Sequence, residues 1–167
     1  MIFTAHADGR FALVAHDVRC ALGRGGVKPA TEKREGDGAS PAGVWPMRRV
    51  LWRADRLARP VTALPLAAVA ETDGWCDAST DPAYNRPVRL PYPASAERLW
   101  LAEAVYDVIV VLGHNDAPPV PGLGSAIFLH VAKPDYAPTA GCVALALEDL
   151  LQVLALAEPG DAVEIRG

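Results

Sequence analysis

Apolar and polar residues alternate in short runs along most of this chain, and only one stretch repeats at helical spacing. Residues 2–5 and 10–15 are β-prone and separated by Ala7-Asp8-Gly9, whose Asp-Gly pair favours a tight hairpin. Residues 19–22 form a candidate third strand. Residues 23–43 are rich in Gly, Pro and charge and read as loop, after which 44–52 resume strand character, with Pro46 marking an edge or bend. Residues 64–69 are a further short candidate. Residues 73–93 are crowded with Asp, Pro, Tyr and Trp, the composition of a loop system that faces a substrate. The near-continuous apolar run 106–112 suits a strand buried on both faces, and 126–132 is a second such run beyond the loop 113–125. In 147–157 the apolar positions follow a helical period. Glu148 and Asp149 lie at its start, where the helix dipole favours negative charge, and Pro159-Gly160 ends it. Residues 162–166 alternate as a last strand. The pattern predicts one mostly β domain over 1–167, a β-rich α+β fold with one main helix near the C-terminus.

Composition narrows the function. A chain of 167 residues that is 51% hydrophobic and 22% charged has the material for a single packed core. Its net charge of −4 offers no basic footprint for nucleic acid. No run approaches the roughly 18 apolar residues of a membrane span. Residues 1–16 lack the basic and long apolar regions of a signal peptide, so a chain that is complete as written would begin in the cytosol. Cys20, Cys76 and Cys142 are odd in number and form no C-x-x-C, which argues against a disulfide framework.

The leftover thiol with a chemical setting is Cys142, in Thr139-Ala140-Gly141-Cys142-Val143, twelve residues after His130. A thiol is a strong nucleophile as thiolate, and a nearby imidazole is the usual means of making one. Gly141 allows a substrate carbonyl close to the backbone, where N–H groups can hold an oxyanion. A strand, a loop and a returning strand would bring His130 and Cys142 together. Taken singly, Cys142 reads equally as a small buried hydrophobe and His130 as a structural histidine. His114, His130 and Cys142 could be a zinc trio, but no spacing here matches a zinc pattern, and neither metal nor cofactor is expected.

Several segments together resemble the YkuD-type L,D-transpeptidases, the ErfK/YbiS/YcfS/YnhG family. Residues 35–43 (EGDGASPAG) are similar to that family's EGDGxTPxG stretch, and 110–115 (VVLGHN) to its central strand and following turn. Residues 125–130 (SAIFLH) resemble the strand that delivers the catalytic histidine, and 139–144 (TAGCVA) the signature around the nucleophile. The resemblance implies a sandwich of mixed sheets with one helix packed against it. It implies a cysteine enzyme acting on peptidoglycan stem peptides as donor and acceptor, through a thioester, with carbapenems as covalent inhibitors. Cys142 would be nucleophile and His130 base, oriented by a backbone carbonyl such as that of Val131, with the N–H groups of Gly141 and Cys142 as oxyanion donors. Trp75, Tyr84, Asn85, Arg86, Asn115 and Thr139 are the candidate substrate contacts, Arg86 for a stem-peptide carboxylate. Such an enzyme belongs in the periplasm or cell envelope. Cross-links of 3,3 or 1,3 type, hydrolysis as a carboxypeptidase or endopeptidase, and a non-catalytic peptidoglycan-binding module remain open. A thiol no more acidic than a free one, about 8.5, would favour the last. Ala140 and Ala144 stand where the family motif has His before Gly-Cys and Arg or Asn two residues after Cys.

Overall fold

A computed structural model describes residues 1–167. Thirteen strands and one α-helix follow in chain order: β1 (Ile2–His6), β2 (Arg10–Ala12), β3 (Asp17–Ala21), β4 (Val27–Pro29), β5 (Ser40–Trp52), β6 (Leu66–Ala68), β7 (Asp73–Cys76), β8 (Pro87–Arg89), β9 (Ala96–Arg98), β10 (Val108–Leu112), β11 (Phe128–Val131), β12 (Val143–Leu145), α1 (Leu147–Leu156) and β13 (Ala162–Arg166), with a short 3-10 turn at Ala104–Tyr106. The fold is mostly β, with mixed sheets and its one helix near the C-terminus.

β5 organises the molecule. Its first half pairs antiparallel with β13 from Gly43 to Pro46, and its second half pairs antiparallel with β10 from Met47 to Trp52. Because β10 leads through β11, β12, β3, β2 and β1 back to β13, this one long strand closes the large sheet on itself. Alternation in β10 decides where the cores lie. Val108, Val110 and Leu112 face a main core with Phe3, Leu129 and Leu145, covered by Leu150, Val153 and Leu154 of α1. Ile109 and Val111 face a second core with Trp75, Leu99, Tyr106 and Phe128. Both faces are buried, which accounts for the unbroken apolar run in the sequence.

The second core has a cover that the hydrophobic pattern does not announce. Residues 73–93 contain β7 and β8, which join β9 in a three-stranded antiparallel sheet over Phe128. Strands of three or four residues punctuated by Gly and Pro leave no period to read. The loop 23–43 likewise contains β4, and β5 begins at Ser40 rather than at 44. β12 runs parallel to β11, not back along it, so residues 132–142 form a crossover between them.

Candidate active site

Strand register brings Cys142 and His130 to one face. Leu129 is paired with Val143 and His130 with Ala144, so Phe128 stands opposite Cys142. Residues two apart share a face, and Phe128, His130, Cys142 and Ala144 therefore line up on the side away from α1. The Cys142 thiol donates to the Ala126 carbonyl at 3.2 Å and accepts from the Phe128 N–H at 3.4 Å. His130 Nδ1–H donates to the Val131 carbonyl at 2.9 Å, leaving Nε2 as the basic nitrogen. Burial pushes the thiol up to about 12, with the charge of Glu97 adding to it. Burial holds the imidazole down to about 4, against the carbonyls of Val131 and Val105. No hydrogen bond joins thiol to imidazole, and burial favours the neutral form of each.

The backbone at the thiol is fixed from behind. Gly141 has φ +137°, and a Cβ there would lie 2.9 Å from the Ala39 carbonyl oxygen. Ser40 Oγ donates to the Gly141 carbonyl at 2.8 Å and accepts from the Gly23 N–H at 2.9 Å, all of it buried. The Gly141 N–H donates to Thr139 Oγ1 at 3.1 Å, and Thr139 Oγ1–H donates onward to the Cys142 carbonyl at 2.7 Å. Gly141 is thus committed within its own turn, and of the two expected oxyanion donors only the Cys142 N–H has no partner in the chain. The segment 35–43 has a mechanical role here. Asp37 bonds to Lys33 Nζ at 2.6 Å and to the N–H groups of Arg34 and Ala39, and these lower its carboxyl to about 2 although burial opposes them. Glu35 accepts from Tyr84 Oη at 2.6 Å and Ser125 Oγ at 2.8 Å, tying this loop to the one that enters β11.

Cys142 and His130 border a cleft of about 650 Å³. Glu97, Asp77 and Glu35 bring carboxylates to its lining, and Arg24, Lys33 and Lys133 bring cations. Tyr106 meets the His130 ring edge-on with centroids 5.3 Å apart, and its hydroxyl donates to Glu97 Oε1 at 2.5 Å. Burial raises the Glu97 carboxyl, and Tyr106 lowers it by less. Sequence reasoning missed both residues: Tyr106 reads as the start of an apolar run, and Glu97 lies in a stretch without a period.

Among the expected substrate contacts, only Thr139 borders this cleft. The buried Asn85 accepts from Trp75 Nε1 at 2.9 Å and the Ala126 N–H at 3.1 Å, and donates to the carbonyls of His114 and Asn115. Asn115 closes its own loop through Val120 and Gly124, and Tyr84 is held by Glu35 and the Gly124 N–H. Trp75 packs edge-on against Phe128. Arg86 lines a separate depression of about 420 Å³ with Arg48, Arg49 and Trp75. No three His, Cys, Asp or Glu side chains cluster to hold a metal ion, and no helix is long and apolar enough to cross a membrane.

This fold, with a cysteine and a histidine bordering one cleft, is the setting of an L,D-transpeptidase domain. Residues 3–165 match the family model "YkuD: L,D-transpeptidase catalytic domain", and the chain belongs to that family. Two solved structures are similar at 12% identity: L,D-transpeptidase 1 of Mycobacterium tuberculosis, with a TM-score of 0.44, and an L,D-transpeptidase from Mycobacterium smegmatis, with a TM-score of 0.45. The likeness covers 99% of this chain but 61% and 58% of theirs, so the chain spans about three fifths of either neighbour. No curated protein matches the chain.

Proposed function

We propose that this domain is a cysteine L,D-transpeptidase that acts on peptidoglycan stem peptides in the cell envelope. The observation that carries the reading is the placement of His130 on β11 and of Cys142 immediately before the parallel strand β12, both bordering one cleft. Cys142 Sγ attacks the diaminoacid carbonyl of a donor stem while His130 Nε2 takes the thiol proton. The Cys142 N–H is the donor available to the oxyanion. As the tetrahedral adduct collapses, the imidazolium returns the proton to the leaving D-alanine amine, and a thioester remains. The side-chain amine of an acceptor stem then forms the new amide and releases the thiol. A bound carbonyl displaces water from the cleft, which favours proton transfer between two neutral partners over ionising either alone.

The mixed charge lining the cleft supports a substrate that carries both ammonium and carboxylate groups. With tetrapeptide muropeptides the expected products are cross-linked dimers, and their linkage, 3,3 or 1,3, follows from tandem mass spectrometry. Tripeptide without dimers would instead identify a carboxypeptidase. A second reading, a stem-peptide binding module, is favoured by burial holding the thiol up to about 12. It predicts saturable binding of muropeptides with no product at all.

A further inference from the structure

Transfer to an amine poses a problem that the Cys142–His130 pair does not solve. At neutral pH a primary alkylamine is an ammonium ion, with a pKa near 10, and has no lone pair to attack with. In the thioester His130 is again neutral, but it must carry the second amine proton to the departing sulfur, so the first proton of the ammonium needs another acceptor. Tyr106 is no base, because burial raises its hydroxyl far above the ordinary range. Glu97 has the required chemistry and position. Its Oε1 is fixed by Tyr106 at 2.5 Å, Tyr106 in turn abuts the His130 ring, and no group of the chain donates to Oε2. Its charge is felt at the Cys142 thiol. Asp77 lines the same cleft with a buried Oδ1 that has no hydrogen-bond partner, a second acceptor suited to a cation.

We propose that Glu97 receives the ammonium of the acceptor and takes its proton as the amine attacks the thioester on Cys142. The inference rests on the transpeptidase reading. The ammonium gives one proton to Glu97, and the freed nitrogen forms a C–N bond to the acyl carbon. The C–S bond breaks, and the second amine proton passes through His130 to the departing sulfur. Acyl-thioester, ammonium and carboxylate become amide, thiol and carboxylic acid, with charge balanced. A carboxyl raised by burial is a better proton acceptor near neutrality than an ordinary one.

Glu97→Gln separates this role from simply holding Tyr106, because the amide oxygen still accepts the tyrosine hydroxyl. The enzyme is supplied with a tetrapeptide donor and either a stem-peptide amine or hydroxylamine, which is uncharged at neutral pH. Glu97→Gln is expected to slow dimer formation by about 100-fold, within the usual range for a lost general base. Hydroxamate formation should stay within about twofold of the unsubstituted protein, which also shows that the variant is folded. Glu97→Asp, a carboxylate drawn back by one methylene, should give an intermediate dimer rate. Unchanged dimer formation, or an equal fall with both acceptors, would overturn the assignment while leaving the transpeptidase reading intact. If the unsubstituted protein forms neither hydroxamate nor a carbapenem adduct, the transpeptidase reading fails and this one with it.

Discussion

Gly141 and Ser40 show how little freedom the candidate nucleophile has. At Gly141 a side chain meets both a positive φ and the Ala39 carbonyl. Gly141→Ala should therefore cost at least about 1–3 kcal/mol, read from the urea midpoint. It should also slow carbapenem acylation by displacing the thiol. Ser40 does not itself line the cleft, yet its hydroxyl is the buried link between Gly23 and Gly141. Ser40→Ala leaves a donor and an acceptor unpaired and is expected to lose about 1–3 kcal/mol in the same assay. These two residues were visible in the sequence as part of recognisable motifs. What they bond to was not, because Ser40 and Gly141 are far apart in the chain. The acidic partner of Tyr106 was hidden for another reason: one glutamate in a stretch without a period looks like any exposed glutamate.

At the level of elements, the strands with a strong hydrophobic signal were legible. β10, β11 and α1 fall within a residue or two of their expected bounds, since burial on two faces or one stripe writes itself into the pattern. The small sheet β7–β9 was not, because its strands are held by backbone pairing and by the aromatic contacts of Trp75 rather than by alternation. For the same reason Asn85, Asn115 and Tyr84 looked like substrate contacts. A polar loop residue that binds another loop has the same appearance in sequence as one that binds a ligand. The tie between the 23–43 loop and the 113–125 loop runs through Glu35, Tyr84 and Ser125. Glu35→Ala should accelerate hydrogen–deuterium exchange in 122–126 and leave the β1–β2 hairpin unchanged. Uniform acceleration across both would mean that Glu35 stabilises the whole fold rather than this junction.

For the whole molecule, the buried site shapes stability against pH. The imidazole of His130 falls from 6.5 to about 4 on folding, so the unfolded chain binds the proton more readily between those values. Stability should fall as pH drops from about 6.5 towards 4, by up to about 3 kcal/mol from this residue. Burial lowers His114 as well, so His130→Gln should remove part of that acid limb and leave the remainder. On the alkaline side Cys20 and Cys142 both rise from 9.0 to about 12, and stability should decline as pH climbs through that interval. Urea midpoints taken across pH test both limbs. The same burial that makes these limbs favours the protonated thiol at Cys142. The direct test of the function is therefore intact-mass spectrometry of the protein with a tetrapeptide donor stem, run beside Cys142→Ala. The predicted result is a tripeptidyl adduct on the unsubstituted chain, absent from Cys142→Ala and discharged when an acceptor amine is added. No adduct on the unsubstituted chain, or the same adduct on both proteins, would contradict it.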